Sequence, residues 1–317
     1  MRRGVERIAA VAVAVVAILA VLLLLRLALP GELVAPGGPA ATFAVAPATA
    51  GAGSVIFVGA GDIATCAGLG DEQTAALLDI VPGTVFTLGD NAYDDGTKAE
   101  YDRCYAPTWG RQLDRTNPSP GNHEYETRGA AGYFSYFGAR AGEGNKGYYA
   151  YDLGSWRIYS LNSNCGEVGG CGEGAPQLRW LRDDLAANPS RCGLAYWHHP
   201  RLSSGEHGDS ALLGPIWDTL ADAGTELVLA GHDHDYERFA PLRADGAVDE
   251  ARGMTSFVVG TGGKELRAFE RAAPNSIVRN AETWGVLQLV LSPGGWSALF
   301  LPVAGASFTD HATGTCH

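Results

Sequence analysis

Basic side chains are scarce in this 317-residue chain: 23 lysines and arginines face 35 aspartates and glutamates, a formal charge of −12. Arg2, Arg3, Arg7 and Arg26, with Glu6, fall in the first 30 residues, which leaves 19 basic and 34 acidic groups, net −15, in the rest. Such a surface repels phosphate backbones and argues against a nucleic-acid partner. No Cys-x-x-Cys pair occurs among the six cysteines, which removes the support for a zinc ribbon or a thioredoxin-like redox site. Beyond Ser54 there is no internal repeat and no second linker. Charged residues are only 18% of the chain but hydrophobic ones 46%, a balance that excludes disorder. Glycine is what the chain has in excess: its 43 residues are about twice the usual share and imply many tight turns.

Ile8 to Leu25 runs for 18 residues without a polar or charged side chain, close to the ~20 a helix needs to cross a bilayer. Arg2, Arg3 and Arg7 precede it and only Arg26 follows closely, which puts the N-terminus in the cytoplasm and the remainder outside. A cleaved signal peptide is the alternative, but its apolar core usually spans ~7–15 residues with a small-x-small site close behind. Here Ala44-Val45-Ala46 and Ala48-Thr49-Ala50 lie far downstream, and Pro47 spoils the first. The expected organisation is a cytoplasmic N-terminus (1–7), a transmembrane anchor (8–29), an Ala/Gly/Pro-rich linker (30–53) acting as a tether, and one domain (54–317). That domain belongs on the extracytoplasmic side of the cell membrane, or is secreted if the segment is cleaved. Cys66, Cys104, Cys165, Cys171, Cys192 and Cys316 all follow the apolar segment, so an exported domain with disulfides is expected; six cysteines leave 15 complete pairings open.

Short β-branched or aromatic runs recur at Val55–Val58, Thr84–Leu88, Arg157–Leu161, Leu194–Trp197, Glu226–Leu229, Ser256–Val259, Val286–Leu291 and Ser297–Leu301. Helical patterns lie between several of them, at Asp71–Ile80, Ala175–Asn188 and Ala211–Ala223. Leu178, Leu181 and Leu185 share one face of the second helix, and Arg182, Asp183 and Asp184 lie on the other. Strands alternating with helices early, and strands alone late, predict an α/β sandwich of two mixed sheets.

Five polar clusters carry the chemistry. They are Gly61-Asp62, Gly89-Asp90-Asn91-Ala92-Tyr93, Gly121-Asn122-His123-Glu124, Trp197-His198-His199-Pro200 and Gly231-His232-Asp233-His234. Four of them directly follow a predicted strand, and loops at the carboxyl ends of strands are where α/β sheets build their sites. Taken singly, an Asp after a strand is usually a turn or cap residue, and a lone His a satisfied surface or core group. Together they supply two carboxylates, an amide oxygen, several imidazoles and a phenol, a donor set suited to iron, manganese or zinc rather than copper.

In this order the motifs resemble those of the calcineurin-like metallophosphoesterases, and within them the purple acid phosphatases in their small single-domain form. The resemblance implies a two-sheet αββα sandwich preceded here by the one transmembrane helix. Most of the family opens with Asp-x-His, but the third position here is Ala64, and Tyr93 stands where the purple branch uses a phenolate. Carried over by position, Asp62, Tyr93 and His234 are expected on Fe(III), with Asp90 bridging. Asn122, His198 and His232 are expected on a divalent Fe, Zn or Mn. His198 is preferred to His199 because it stands two residues before Pro200. His123 is expected to contact phosphate, and His207, in the loop Ser203–Ser210, to assist the leaving group.

The reaction so implied is hydrolysis of a small phosphate monoester by a metal-bound hydroxide, with no phosphoenzyme. A phosphodiesterase of the same superfamily is the nearer alternative, and a non-catalytic anchored metal- or phosphate-binding protein the further one. Two other motifs fail. Gly59-Ala60-Gly61-Asp62-Ile63-Ala64 fits a dinucleotide fingerprint, but Gly68 and Gly70 delay the helix, and Asp90 is 29 residues beyond Gly61 where ~20 are needed. Gly260-Thr261-Gly262-Gly263-Lys264 is like a P-loop, yet Val258 replaces its first glycine and Glu265 its Ser/Thr. Cys165–Cys171 is expected to close a small glycine-rich loop. Cys66–Cys104 is expected to join loops beside first-metal ligands, and Cys192–Cys316 to tie the chain's end to the sheet. The oligomeric state is not legible.

Overall fold

Period-two burial along short strands builds the domain. In the computed structural model, residues 43–189, 192–269 and 271–317 are described. The expected cytoplasmic N-terminus 1–7, the anchor 8–29 and the linker up to residue 42 lie outside the described residues. Among the described residues no helix is long and apolar enough to cross a membrane.

One sheet has six strands in the order β13-β12-β11-β1-β2-β3. They are β1 (Val55–Ala60), β2 (Thr84–Leu88), β3 (Thr116–Ser119), β11 (Gly285–Ser292), β12 (Gly295–Pro302) and β13 (His311–Thr315). The other has seven in the order β10-β8-β9-β7-β6-β5-β4. Its members are β4 (Tyr149–Leu153), β5 (Trp156–Ser160), β6 (Cys192–Tyr196), β7 (Leu227–Ala230), β8 (Tyr236–Phe239), β9 (Thr255–Val259) and β10 (Ser276–Asn280). Both sheets are mixed. β1, β2 and β3 run parallel, while β11 meets β1 antiparallel. β5, β6, β7 and β9 run parallel between antiparallel neighbours.

The sheets face each other across the main core, where Phe57 of β1 meets Tyr196 of β6 at 5.8 Å and Tyr236 of β8 meets Phe300 of β12 at 4.6 Å between ring centroids. Alternate residues of β6 and β7 point the other way. Leu194, Tyr196, Leu227 and Leu229 enter the inter-sheet core, whereas Ala195 and Val228 lie under helices.

Those outer helices follow their sequence patterns. In α4 (Pro176–Ala187) Leu178 and Leu181 are fully buried and Leu185 partly so, each fully buried leucine contributing roughly 1.5–3 kcal/mol. In α5 (Gly214–Asp222) Ile216, Trp217 and Leu220 join the same cluster. On the first sheet, α1 (Gly70–Ile80) buries Ala75, Leu77 and Leu78. Two short helices, α2 (Asn122–Glu126) and α3 (Ala131–Phe137), lie between β3 and β4.

The described part of the expected tether is not free. Phe43 and Val45 pack against the core, and Ala48 exchanges two backbone hydrogen bonds of 2.8 Å with the Gln288 amide on β11. Apolar residues inside an Ala/Pro-rich stretch explain the difference: they have surface to bury. The three disulfides are Cys66–Cys104, Cys165–Cys171 and Cys192–Cys316, the last joining β6 to the chain beyond β13.

Candidate metal centre

Because β1, β2, β3, β6 and β7 are parallel within their sheets, the loops at their carboxyl ends converge on one edge of the sandwich. All five clusters follow a strand, including the third, which follows β3. The β1 and β2 loops continue side by side: Asp62 N–H donates to the Gly89 carbonyl at 3.1 Å, and Tyr93 N–H to the Ala64 carbonyl at 2.9 Å. That second bond starts the Tyr93 side chain beside Ala64.

Two glycines permit the close approach. A Cβ on Gly121 would lie 2.1 Å from Asp90 Oδ1, and one on Gly231 2.6 Å from Asp62 Oδ2. Asp62, Asp90 and His232 all take positive φ, at 59°, 49° and 74°. Such backbone costs of order 1–3 kcal/mol each and clusters at functional sites.

At one end of the centre the Tyr93 hydroxyl lies 2.9 Å from Asp62 Oδ1, 3.0 Å from Asp90 Oδ2 and 3.3 Å from His234 Nε2. At the other, His198 Nε2 lies 3.0 Å from Asn122 Oδ1, 3.1 Å from His232 Nδ1 and 3.2 Å from Asp90 Oδ2. Asp90 thus touches both groups. Asp62, Asp90 and His198 form one cluster with metal-ligand spacing, and His198, His199 and His232 another.

The second nitrogens of two rings are tied to backbone carbonyls: His198 Nδ1 to Leu88 at 2.7 Å and His234 Nδ1 to Glu265 at 2.8 Å. This orients both rings with Nε2 inward, where the neutral ring has its lone pair. His199 Nδ1 is taken by Ser163 Oγ at 2.8 Å, so His199 packs beside His232 while His198 reaches Asn122 and Asp90. His123 presents Nε2 3.9 Å from Asp90 Oδ2, with its ring 4.5 Å from that of Tyr93. His207 stacks on His232 at 4.2 Å.

Electrostatics favour cations here. Burial pushes the Asp62 carboxyl up to about 8, with His198 opposing and Asp90 adding to the rise. Burial acts on Asp90 as well, but His198 and His123 outweigh it and hold that carboxyl well below its ordinary range. Burial works against a charged His198, yet Asp90 raises it to about 9. His199 falls to about 3 and His234 to about 4, mainly through burial, and so offer neutral lone pairs. Burial, then the charges of Asp62 and Asp90, push the Tyr93 phenol well up. Two carboxyls, a phenol, an amide oxygen and several imidazoles crowd together here. This donor set fits a dinuclear metal site of hard and borderline ions.

One contributor was not foreseen. Glu124, fully buried, accepts from Asp90 N–H at 2.9 Å, Asn91 N–H at 2.8 Å, Gly121 N–H at 2.6 Å and the Tyr101 hydroxyl at 2.9 Å. It binds the β2 loop to the β3 loop. It stands within the Gly-Asn-His-Glu cluster, and its place there was the only signal for it.

A family model described as calcineurin-like phosphoesterase matches residues 57–236, which include all five clusters. An uncharacterized protein of Mycobacterium tuberculosis is 29% identical over 219 residues, covering 51% of this chain and 41% of its own length. Purple acid phosphatase 15 of Arabidopsis thaliana is 26% identical over 239 residues, covering 63% of this chain and 44% of its own length. The match thus spans less than half the length of these curated relatives. Among solved structures, purple acid phosphatase PPD1 from yellow lupin (Lupinus luteus) seeds has a TM-score of 0.66 at 18% identity, over 82% of this chain and 53% of that one.

Proposed function

The chain belongs to the calcineurin-like phosphoesterases, and from that premise we propose that it hydrolyses phosphate monoesters in the manner of a purple acid phosphatase. In this reading Asp62, Tyr93 and His234 would hold Fe(III), Asn122, His198 and His232 a divalent Fe, Zn or Mn, and Asp90 both. The observation that carries it is the Tyr93 hydroxyl, within 3.3 Å of Asp62, Asp90 and His234 together: a phenol oxygen is a hard donor suited to a trivalent ion. When bound, the two ions would neutralise phosphoryl oxygens and acidify water.

The chain's own residues do the rest. Asp90 orders the centre, since its Oδ1 also accepts the His123 N–H at 3.0 Å. His123 is held by the Asp94 carbonyl at Nδ1, so its Nε2 faces the site, where it would contact a phosphoryl oxygen. His207, stacked on His232 at 4.2 Å, would assist a leaving alcohol. We also propose that residues 8–29 anchor the protein with the domain outside the cell. The three disulfides support this, because such bonds persist in oxidising compartments.

Metal analysis with assays of p-nitrophenyl phosphate and bis(p-nitrophenyl) phosphate across pH tests the reading. Two ions per chain and faster monoester cleavage below neutral pH are expected. Faster diester cleavage would make it a phosphodiesterase, and no turnover with both ions in place would make it a binding protein. Carbonate-resistant membrane association of the full chain, with its domain open to external protease, is expected; release as a soluble protein would contradict the anchor.

A further inference from the structure

A sixth loop reaches the centre, following β9 from Gly260 to Arg267. It contains the glycine stretch whose P-loop likeness fails. Four hydrogen bonds lock it in place: Gly262 N–H to the Gly61 carbonyl at 2.8 Å, Lys264 N–H to Asp62 at 2.9 Å, Arg267 N–H to His234 at 3.0 Å, and the His234 ring to Glu265 at 2.8 Å. No side chain of this loop is among the donors described above, yet two of its cations stand at the edge. Lys264 is committed: Nζ lies 4.4 Å from the Tyr93 ring centroid and binds Asp94 Oδ1 at 2.9 Å.

Arg267 is placed differently. Its Nη1 donates to His207 Nε2 at 3.0 Å, and the His207 ring stacks on His232 at 4.2 Å and 28°. An arginine accepts no hydrogen bond, so His207 Nε2 is the acceptor. Arg267 thus places a cation one imidazole further out than His232. Its acidic partners are Glu206 at 3.2 Å, with 52% of the side chain exposed, and Glu265 at 3.9 Å, 61% exposed. Exposed pairs of this kind are weak and readily exchanged. Glu206 shows that Arg267 Nη1 can donate to a carboxylate in this position.

We propose that Arg267 selects the substrate: it binds a negative charge carried by the leaving group, a place that Glu206 fills until substrate displaces it. The preferred substrates are then phosphate esters whose alcohol part bears a second anion, carboxylate or phosphate. Such a charge-assisted contact is stronger than a neutral one, and it offsets the repulsion that a chain of −12 exerts on polyanions.

Given the phosphoesterase reading on which this rests, the test compares kcat/KM in matched pairs with the metal-loaded full chain. One pair is 3-phosphoglycerate against glycerol 3-phosphate, the other fructose 1,6-bisphosphate against fructose 1-phosphate; the pair with the larger effect tells carboxylate from phosphate. Calorimetry with phosphonoacetate against methylphosphonate reads binding without turnover. Arg267→Gln is expected to cut the preference for the anionic member about tenfold, the worth of one charged hydrogen-bonded contact. Arg267→Lys is expected to keep part of it, and Glu206→Gln to increase it. Equal losses on both members of each pair in Arg267→Gln, or no preference in the wild type, would overturn the proposal. If no ester is hydrolysed, the phosphoesterase reading falls, and the calorimetric preference still decides the role of Arg267.

Discussion

Replacing Glu124 by glutamine tests how the site is held. Each Glu124 oxygen accepts from two donors: Oε2 from Asp90 and Gly121 N–H, and Oε1 from Asn91 N–H and the Tyr101 hydroxyl. A glutamine must aim its NH₂ at one of these pairs. Facing Asp90 and Gly121 it meets two fixed N–H groups, and both lose their acceptor. On the other side the Tyr101 hydroxyl can turn and accept, so only the Asn91 N–H is stranded. The cheaper arrangement costs about 1–3 kcal/mol, the penalty for one buried unsatisfied donor. Urea unfolding should show a lower midpoint with an unchanged slope. Since Glu124 also positions the Asp90 backbone, metal affinity should fall about 10–100-fold, as for other residues that orient ligands. Leu181→Ala, in the cluster under α4, is the control: it should cost about 2–5 kcal/mol of stability and much less metal affinity. A Glu124→Gln protein within ~0.5 kcal/mol of wild type, the range of an ordinary surface change, or with full metal affinity, would refute this.

Two further outcomes follow from the same geometry. Asp90→Ala should lose both ions and all activity, whereas His123→Ala should retain the ions and lose about 10²–10³ in rate, the usual loss for one transition-state donor; equal metal loss in both, by elemental analysis, would show these roles misassigned. Asp310, with 8% of its side chain exposed, accepts from Arg238 Nε at 2.6 Å and from the Tyr236 hydroxyl at 2.8 Å; burial raises its pKa but these partners outweigh it and hold it low. Its stabilisation is therefore present above the ordinary carboxyl value and is lost as pH falls through the lowered one. Asp310→Asn should cost about 2–3 kcal/mol at pH 7 and progressively less in acid; a deficit independent of pH in denaturation curves would contradict this.

The central strands and the site were legible because both write themselves locally. β2 is the run Thr84–Leu88 itself, buried from Val85 to Leu88, and each polar cluster follows its strand directly or, after β3, across Pro120 alone. The strands missed are β3, β4, β8, β10 and β13, and β13, β3, β10 and β4 are the four edges of the two sheets. An edge strand has one partner, so Thr116-Asn117-Pro118-Ser119 tolerates a proline, and it shows no apolar run although Thr116, Pro118 and Ser119 are buried. β8 is central, but Glu237 and Arg238 interrupt its apolar pattern. Their partners, Ser204 and Asp310, are far away in the chain. The same distance hid the carbonyl of Glu265 that orients His234 and the contact between Arg267 and His207.

Tyr93 decides the centre's identity. A phenolate on Fe(III) gives a visible charge-transfer band, and none of the other proposed ligands can. The oxidised, iron-loaded protein is expected to be coloured, and Tyr93→Phe, which loses only a hydroxyl, should bleach the band with the fold intact by circular dichroism. A colourless protein active with zinc or manganese alone, or a Tyr93→Phe variant that keeps its spectrum, would contradict the Fe(III)–Tyr93 assignment.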